Sequence, residues 1–290
     1  MTTVAVLGMG AMGLPMATRL SETMDVNGYD VDAGRVKMAA SVRACDSPAK
    51  ACDGASVVVV SVRDGHQLHD ALFGQQGAIE TLPAQSVVIL TSTVGADSAK
   101  EAAAKLAERG VGLVDAPVSG GAIRAGKGDL LIMVSGTDDA LARADEVLHK
   151  MGSTVVVAGK SVGDGQNMKA VNQLLAGVHT AAANEALALA HALGLELEPL
   201  IAVLGQGAAA SFMLADRGPR IAQQLQGVEP PLRSRVDIIN KDMGIVTQLA
   251  RSAGVATPVA AAAGQLYLTA MSRGLAAQDD SAVSTILVTG

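Results

Sequence analysis

A chain of 290 residues, 49% of them apolar and none of them Trp, is long enough for two domains with a core of Ala, Val, Leu, Ile and Met. A formal charge of −6 argues against a nucleic-acid or anionic-membrane surface, and two Phe and two Tyr leave few rings on which bases could stack. Cys45 and Cys52 are too few for a disulfide framework or a four-ligand zinc site, and free thiols fit a cytoplasmic protein.

A strand pattern opens at Val4, so no signal peptide is expected. Along the first 160 or so residues, β-branched runs alternate with helical spacing. "TVAVLGMG", "VNGYD", "SVVVVSV", "SVVILTST", "GVGLVDAP", "DLLIMVSG" and "STVVVAG" predict strands, and residues 14–24 and 96–109 predict helices between them. This alternation implies an α/β Rossmann-like domain over residues 1–162, with a parallel sheet covered on both faces.

From residue 163 to 290 the pattern predicts an all-α domain. Its first helix runs from Gln166 to Leu193, roughly 42 Å at 1.5 Å per residue. Asn172, Gln173, His179, Thr180 and Asn184 interrupt the apolar stretch at 170–184, so it does not read as a membrane span. Gly194, Gly205, Gly207 and "VEPPLRSR" (228–235) break the helices that follow. A helix this long has more apolar face than a small bundle covers, which points to a second subunit.

"VAVLGMGAMGLPMATRL" places Gly8, Gly10 and Gly13 in G-x-G-x-x-G spacing between a strand and a helix. Gly8 suits the tight turn, Gly10 the approach of a pyrophosphate, and Gly13 close helix–strand contact. Met9, Ala11 and Met12 complete the loop, whose free amides suit phosphate. Asp30 stands at the end of the second predicted strand, where a carboxylate binds ribose hydroxyls and repels a 2′-phosphate. NAD is therefore expected over NADP, with Arg35 nearby weakening the preference. Val62, Arg63 and Thr93 follow two further strands and are candidate cofactor contacts; a helix cap is an equal reading of Thr93.

Four motifs then carry a resemblance: "GMGAMG" (8–13), "DAPVSGG" (115–121), "GQNMKAVNQ" (165–173) and "KDMG" (241–244). In that order, and spread over nearly the whole chain, they resemble the β-hydroxyacid dehydrogenase family. "NQLLAGVH", "RSRVDIINKDMGIV" and "QDDSAVSTIL" look most like its L-threonate dehydrogenase branch. Gln173 stands where the 3-hydroxyisobutyrate branch usually has Asn.

The resemblance implies Lys169 as the catalytic lysine and Ser119, Gly120 and Gly121 as the loop that holds the substrate carboxylate. It implies Asn172, with Gln173 beside it, as substrate contacts, and Lys241 with its companion Asp242 as a residue over cofactor and substrate. It also implies a homodimer or homotetramer built through the helical domain. Read singly, Lys169 is a solvated lysine in a first helical turn. By the same standard Lys241 is a surface charge paired with Asp242 or Asp237, and "VSGG" is a flexible loop.

The chemistry explains the residue types. Oxidation of a secondary alcohol sends a hydride to nicotinamide C4 and a proton to a base. A free lysine has a pKa of about 10.4. Desolvation and the oxidised nicotinamide both disfavour its ammonium form, which makes it a usable base. Asn172 and Gln173 lie three and four residues on, on the same helical face, and offer amides without a competing charge.

The expected activity is NAD-dependent oxidation of a small polyhydroxylated acid, L-threonate first. Tartronate semialdehyde reduction, 3-hydroxyisobutyrate oxidation, imine reduction and nucleotide binding without turnover are the alternatives. Lys169 counts against imine reduction, and Lys169 with Asn172 against the last. No metal is expected: His66 and His69 have no third ligand nearby in sequence. His179 reads as a core or interface residue, and Phe212 and Met213 as pocket wall or packing alike.

Overall fold

The computed structural model describes residues 3–288. The chain divides into one compact unit up to Lys169 and a second from Ala170. The first begins with β1 (Thr3–Leu7), α1 (Gly13–Ser21), β2 (Asp25–Tyr29), α2 (Ala33–Val36), β3 (Arg43–Ala44), α3 (Pro48–Cys52), β4 (Val57–Val60) and α4 (Gly65–Phe73). It continues through β5 (Val87–Leu90), α5 (Ala96–Ala107), β6 (Gly112–Asp115), β7 (Val118–Ser119), α6 (Gly121–Gly126), β8 (Leu131–Ser135), α7 (Asp138–Met151) and β9 (Thr154–Gly159).

The strands form one sheet in the order β3-β2-β1-β4-β5-β6-β8-β7, with β9 on β8. Period-two alternation splits its apolar residues between two cores. Val4, Val6, Val57, Val59, Val87 and Ile89 pack with α1 and α7 residues on one face. Ala5, Leu7, Val58, Val60, Val88 and Leu90 pack with α3, α4 and α5 residues on the other. Continuous β-branched runs thus follow from burial on both faces.

The sheet is parallel from β3 to β6 and again between β8 and β9, but β8 runs antiparallel to β6 and β7. This departs from the all-parallel expectation. The two-residue β7, whose Ser119 faces Leu131 of β8, allows a short reversal where a helical crossover was expected.

Strand register aligns the ends that matter. Leu7 pairs with Tyr29 and with Val60, Val60 with Leu90, and Leu90 with Asp115. The loops after these residues therefore leave the sheet along one rim. The order reverses between β1 and β4, the position at which open α/β sheets bind ligands.

The long helix α8 (Asp164–Ala192) has 29 residues and so runs about 43 Å. Beyond it lie α9 (Leu197–Leu204), α10 (Phe212–Leu225), α11 (Val236–Ser252), α12 (Pro258–Ser272) and a 3-10 helix over Asp280–Ile286. Among the described residues no strand follows Gly159.

In the second unit, α11 and α12 pack Val236, Ile239, Met243, Val246, Ala260, Ala263 and Tyr267 into one core with Ala181 of α8. Gly177 lets the Met243 side chain lie directly against α8. The buried Tyr267 hydroxyl donates to the Gly177 carbonyl at 2.6 Å. The 3-10 helix is held to α10 by charge: Arg220 Nε donates to Asp279 Oδ1 at 2.9 Å, and Arg217 to Asp280 Oδ2 at 3.2 Å. Asp279 also accepts from the Arg233 and Ser234 amides. No helix among the described residues is long and apolar enough to cross a membrane.

Candidate active site

The glycine loop after β1 divides its labour among three positions. Gly8 has φ +92°, and a Cβ there would stand 2.3 Å from the Ser61 carbonyl oxygen. A Cβ on Gly13 would stand 1.8 Å from the Gly8 carbonyl oxygen, so α1 can seat against the loop only without a side chain. Gly10 is different. A Cβ there meets nothing nearer than Arg35 Nη1, at 3.9 Å. The protein gives no steric reason for glycine at 10, whereas a ligand pressed against the backbone does.

Met12, the N-cap of α1, makes no side-chain cap bond, and the first turn holds no acidic residue. A helix N-terminus left this way suits an anion. These residues fit the pyrophosphate of a dinucleotide: Gly8, Met9, Gly10, Ala11, Met12 and Gly13 would hold it.

Asp30, one residue past β2, is buried. Its Oδ2 accepts from the Met9 amide at 2.7 Å and its Oδ1 from the Asp32 amide at 2.9 Å. The side chain that the sequence marks for ribose thus also fixes the glycine loop, a tie 21 residues long that spacing does not reveal. A carboxylate offers about four lone-pair sites, so two bonds leave room for ribose hydroxyls. Arg35 Nη1 lies 3.5 Å from Oδ1 and is half exposed.

Further along the rim, the Val62 amide donates to Ser92 Oγ at 2.8 Å and the Arg63 amide to Gln67 Oε1 at 3.0 Å. Thr93 does not occupy the N-cap of α5; Gly95 does, with φ +87°. The helix-cap reading of Thr93 is therefore set aside. Ser119 closes β7, and Gly120 and Gly121, with φ +136° and +72°, turn the chain into α6. The "VSGG" stretch is a strand-to-helix turn rather than an irregular loop.

The start of α8 is anchored by groups that the sequence reading did not assign. Asp115, at the end of β6, accepts at Oδ2 from the Gly163 amide at 3.1 Å and the Gln166 amide at 2.9 Å. Ser135 Oγ, at the end of β8, accepts from the Gly165 amide at 3.0 Å and donates to Asp115 Oδ2 at 3.3 Å. Two strand ends thus cap the helix in place of a local residue, and a carboxylate there suits the helix dipole.

Gly165 permits the approach, since a Cβ would stand 2.9 Å from Asp115 Oδ2. Gln166 then ties the helix to the loop after β5. Its Nε2 donates to Asp115 Oδ1 at 2.7 Å and to the Ser92 carbonyl at 3.0 Å. Its Oε1 accepts from the Val94 and Gly95 amides at 2.9 and 3.0 Å. Burial pushes the Asp115 carboxyl up, while the hydrogen bonds from Gln166, Gly163 and Ser135 pull it down; burial prevails. No periodicity signals this network, because its partners lie 20 to 74 residues apart in sequence.

Lys169, one turn beyond Gln166, is only 6% exposed, which removes the solvated-lysine reading. In the second unit, Asn172 Nδ2 donates to Gln173 Oε1 at 2.8 Å, and Gln173 Nε2 donates to Asp242 Oδ2 of α11 at 2.6 Å. Lys241 Nζ lies 3.2 Å from Asp242 Oδ1, the ion pair foreseen as the plain reading of that lysine. Both ends of the Gln173 amide are therefore engaged by protein, and Asp242 is the centre that links α8 to α11. His66, His69, His179 and Phe212 are all exposed, so His179 is not a core residue. Among the described residues no three His, Cys, Asp or Glu side chains gather as a metal site.

A Rossmann sheet with a glycine clamp at its switch point, followed by a helical unit, marks a dinucleotide-binding protein. Residues 3–159 match the family described as the NAD binding domain of 6-phosphogluconate dehydrogenase. Residues 163–287 match that described as NAD-binding of NADP-dependent 3-hydroxyisobutyrate dehydrogenase. An L-threonate dehydrogenase of Cupriavidus necator is 38% identical over 98% of this chain and 95% of its own. A 3-hydroxyisobutyrate dehydrogenase of Pseudomonas aeruginosa is 32% identical over 92% and 91%. The crystal structure of a 3-hydroxyisobutyrate dehydrogenase from Salmonella typhimurium superposes with a TM-score of 0.91, at 32% identity, over 99% of this chain and all of that one. The chain belongs to the β-hydroxyacid dehydrogenase family, and it is a hydroxyacid dehydrogenase that uses a nicotinamide dinucleotide.

Proposed function

We propose that this enzyme oxidises a small polyhydroxylated acid, L-threonate before others, with NAD and with Lys169 as the proton shuttle. The observation that carries the reading is a buried lysine one turn into a helix whose start is pinned to the rim that bears the glycine clamp. The dinucleotide, when bound, supplies the hydride acceptor.

The protein's own work is the rest. Lys169 Nζ takes the hydroxyl proton on oxidation and returns it on reduction. Ser119, Gly120 and Gly121 offer a hydroxyl and bare amides to the carboxylate. Asn172 offers its amide oxygen to a further hydroxyl, while Gln173 holds the Asn172 amide in place and is itself held by Asp242. Lys241, beside Asp242, lends positive charge to the acid or the cofactor phosphates. Substrate preference for L-threonate is supported by the 38% identical relative of that name and by Gln173.

The preference for NAD rests on Asp30, whose buried carboxylate opposes a 2′-phosphate. A second copy of the chain covers the exposed apolar residues Val171, Leu175, Leu189 and Leu193 of and just beyond α8, which supports a dimer or tetramer.

Absorbance at 340 nm with NAD and a panel of C3 to C5 hydroxyacids tests the reading. L-threonate is expected to give the highest kcat/KM. Binding of NAD without turnover of any acid overturns the proposal. Asp30→Asn keeps an acceptor for Met9 or Asp32 and is expected to raise the NADP:NAD ratio of kcat/KM about tenfold or more, worth about 1.4 kcal/mol; an unchanged ratio would place selectivity elsewhere.

A further inference from the structure

The network beneath Lys169 is more elaborate than a helix cap requires. A cap needs acceptors for the first amides of α8, and Asp115 and Ser135 supply them. The Gln166 side chain adds four hydrogen bonds that cap nothing in its own helix. It bonds Asp115 and the Ser92 carbonyl with its nitrogen, and the Val94 and Gly95 amides with its oxygen.

Every donor and acceptor of that amide is therefore used, in one orientation only: reversing it would set its nitrogen against two amide donors and its oxygen against a carbonyl and a carboxylate. Such a group fixes geometry, and it fixes the part of the helix from which Lys169 projects one turn later. It also fixes the loop on which Thr93, a candidate cofactor contact, stands.

We propose that Gln166, clamped between Asp115 and the loop at 92–95, is a positioning residue that holds Lys169 in register with the bound cofactor. The proposal rests on the reading of Lys169 as the proton shuttle and adds the device that fixes its placement. Gln166 touches no reacting atom; it acts through the helix. A displacement on the order of 1 Å at a reacting group lowers rate by about a hundredfold, so a looser first turn should be visible in kcat.

A double-mutant cycle separates positioning from general support of the fold. The variants are Gln166→Met, Lys169→Ala and both together, assayed at saturating NAD with L-threonate or the best acid of the panel. Lys169→Ala alone reports on the underlying reading: an unaltered rate overturns that reading and this proposal with it.

With Lys169 present, Gln166→Met is expected to lower kcat about tenfold or more while substrate KM moves less than about threefold. In the Lys169→Ala background the same change is expected to alter the residual rate less than about twofold, because no amine is left to misplace. Equal losses in both backgrounds, or no loss in the first, overturn the positioning role and leave the lysine reading intact. Ser135→Ala, which removes a single hydroxyl from the network, runs through the same cycle should Gln166→Met not fold. Its expected loss is about two- to fivefold and likewise contingent on Lys169; a loss independent of Lys169 refutes the proposal.

Discussion

Replacing each glycine of the clamp by alanine should separate two effects that the G-x-G-x-x-G spacing treats as one. At Gly13 the added Cβ would lie 1.8 Å from the Gly8 carbonyl oxygen, and at Gly8 it would lie 2.3 Å from that of Ser61, with φ at +92°. Ordinary carbon–oxygen contacts exceed about 3 Å, so backbone must move by about 1 Å in both cases. Overpacking on this scale costs about 1 to 3 kcal/mol or more, and the left-handed backbone adds about 1 to 2 at Gly8.

At Gly10 the nearest atom is 3.9 Å away and belongs to a half-exposed arginine. There alanine should leave stability unchanged or raise it by up to about 1 kcal/mol through the unfolded chain. It should nonetheless block the close approach of a pyrophosphate. Hydrogen bonds to a charged group are worth about 1.5 to 3 kcal/mol, so the loss of one corresponds to roughly 10- to 100-fold in Kd. Thermal melts and NADH fluorescence titration measure the two effects separately. The reasoning fails if Gly10→Ala melts as early as Gly13→Ala, or if it binds NADH like the parent.

Other consequences are equally direct. Burial pushes the Cys52 thiol up to about 12, so at about pH 8 the native protein should leave Cys52 unlabelled by a thiol reagent until denaturant is added; two rapidly reacting thiols would contradict that burial. At Asp279 burial pushes the carboxyl up, but hydrogen bonds from the Arg233 and Ser234 amides, the Ser281 hydroxyl and Arg220 more than compensate and hold it below its usual 3.8. Its contribution is therefore present above pH 3.8 and is lost as pH falls through the lowered value. Urea unfolding should show Asp279→Asn destabilised by about 3 kcal/mol at about pH 7 and the gap narrowing in acid; a gap that widens would reverse the assignment. Leu175→Glu combined with Leu189→Lys should shift the mass found by light scattering toward the monomer at micromolar concentration, and a parent that is already monomeric would remove the case for a covered α8 face.

The sheet was legible in the sequence because its central strands β1, β4 and β5 are short, rich in β-branched residues and buried on both faces, a pattern that few other architectures produce. β3 and β7 escaped because two residues cannot display a period. The reversal at β8 escaped because its apolar run looks the same in either direction. The glycine clamp was readable from local spacing, and Asp30 from its distance along the chain. What spacing did not give was the second use of Asp30 on the Met9 amide. Nor did it give the roles of Asp115, Ser135 and Gln166, whose partners come from distant segments of the chain. Nor did it give the bonds of Gln173, whose amide accepts from Asn172 and donates to Asp242.

Two strand-end carboxylates share one task in this sheet. Asp30 grips an amide of the segment that follows β1, and Asp115 grips amides of the segment that opens α8. The amides that Asp115 grips lie outside the stretch from 118 to 121. If residues 118 to 121 hold the acid's carboxylate as proposed, they could be exchanged to welcome acids of another length or branching while the proposed amine keeps its place, which makes that turn the natural place to begin retailoring the catalyst.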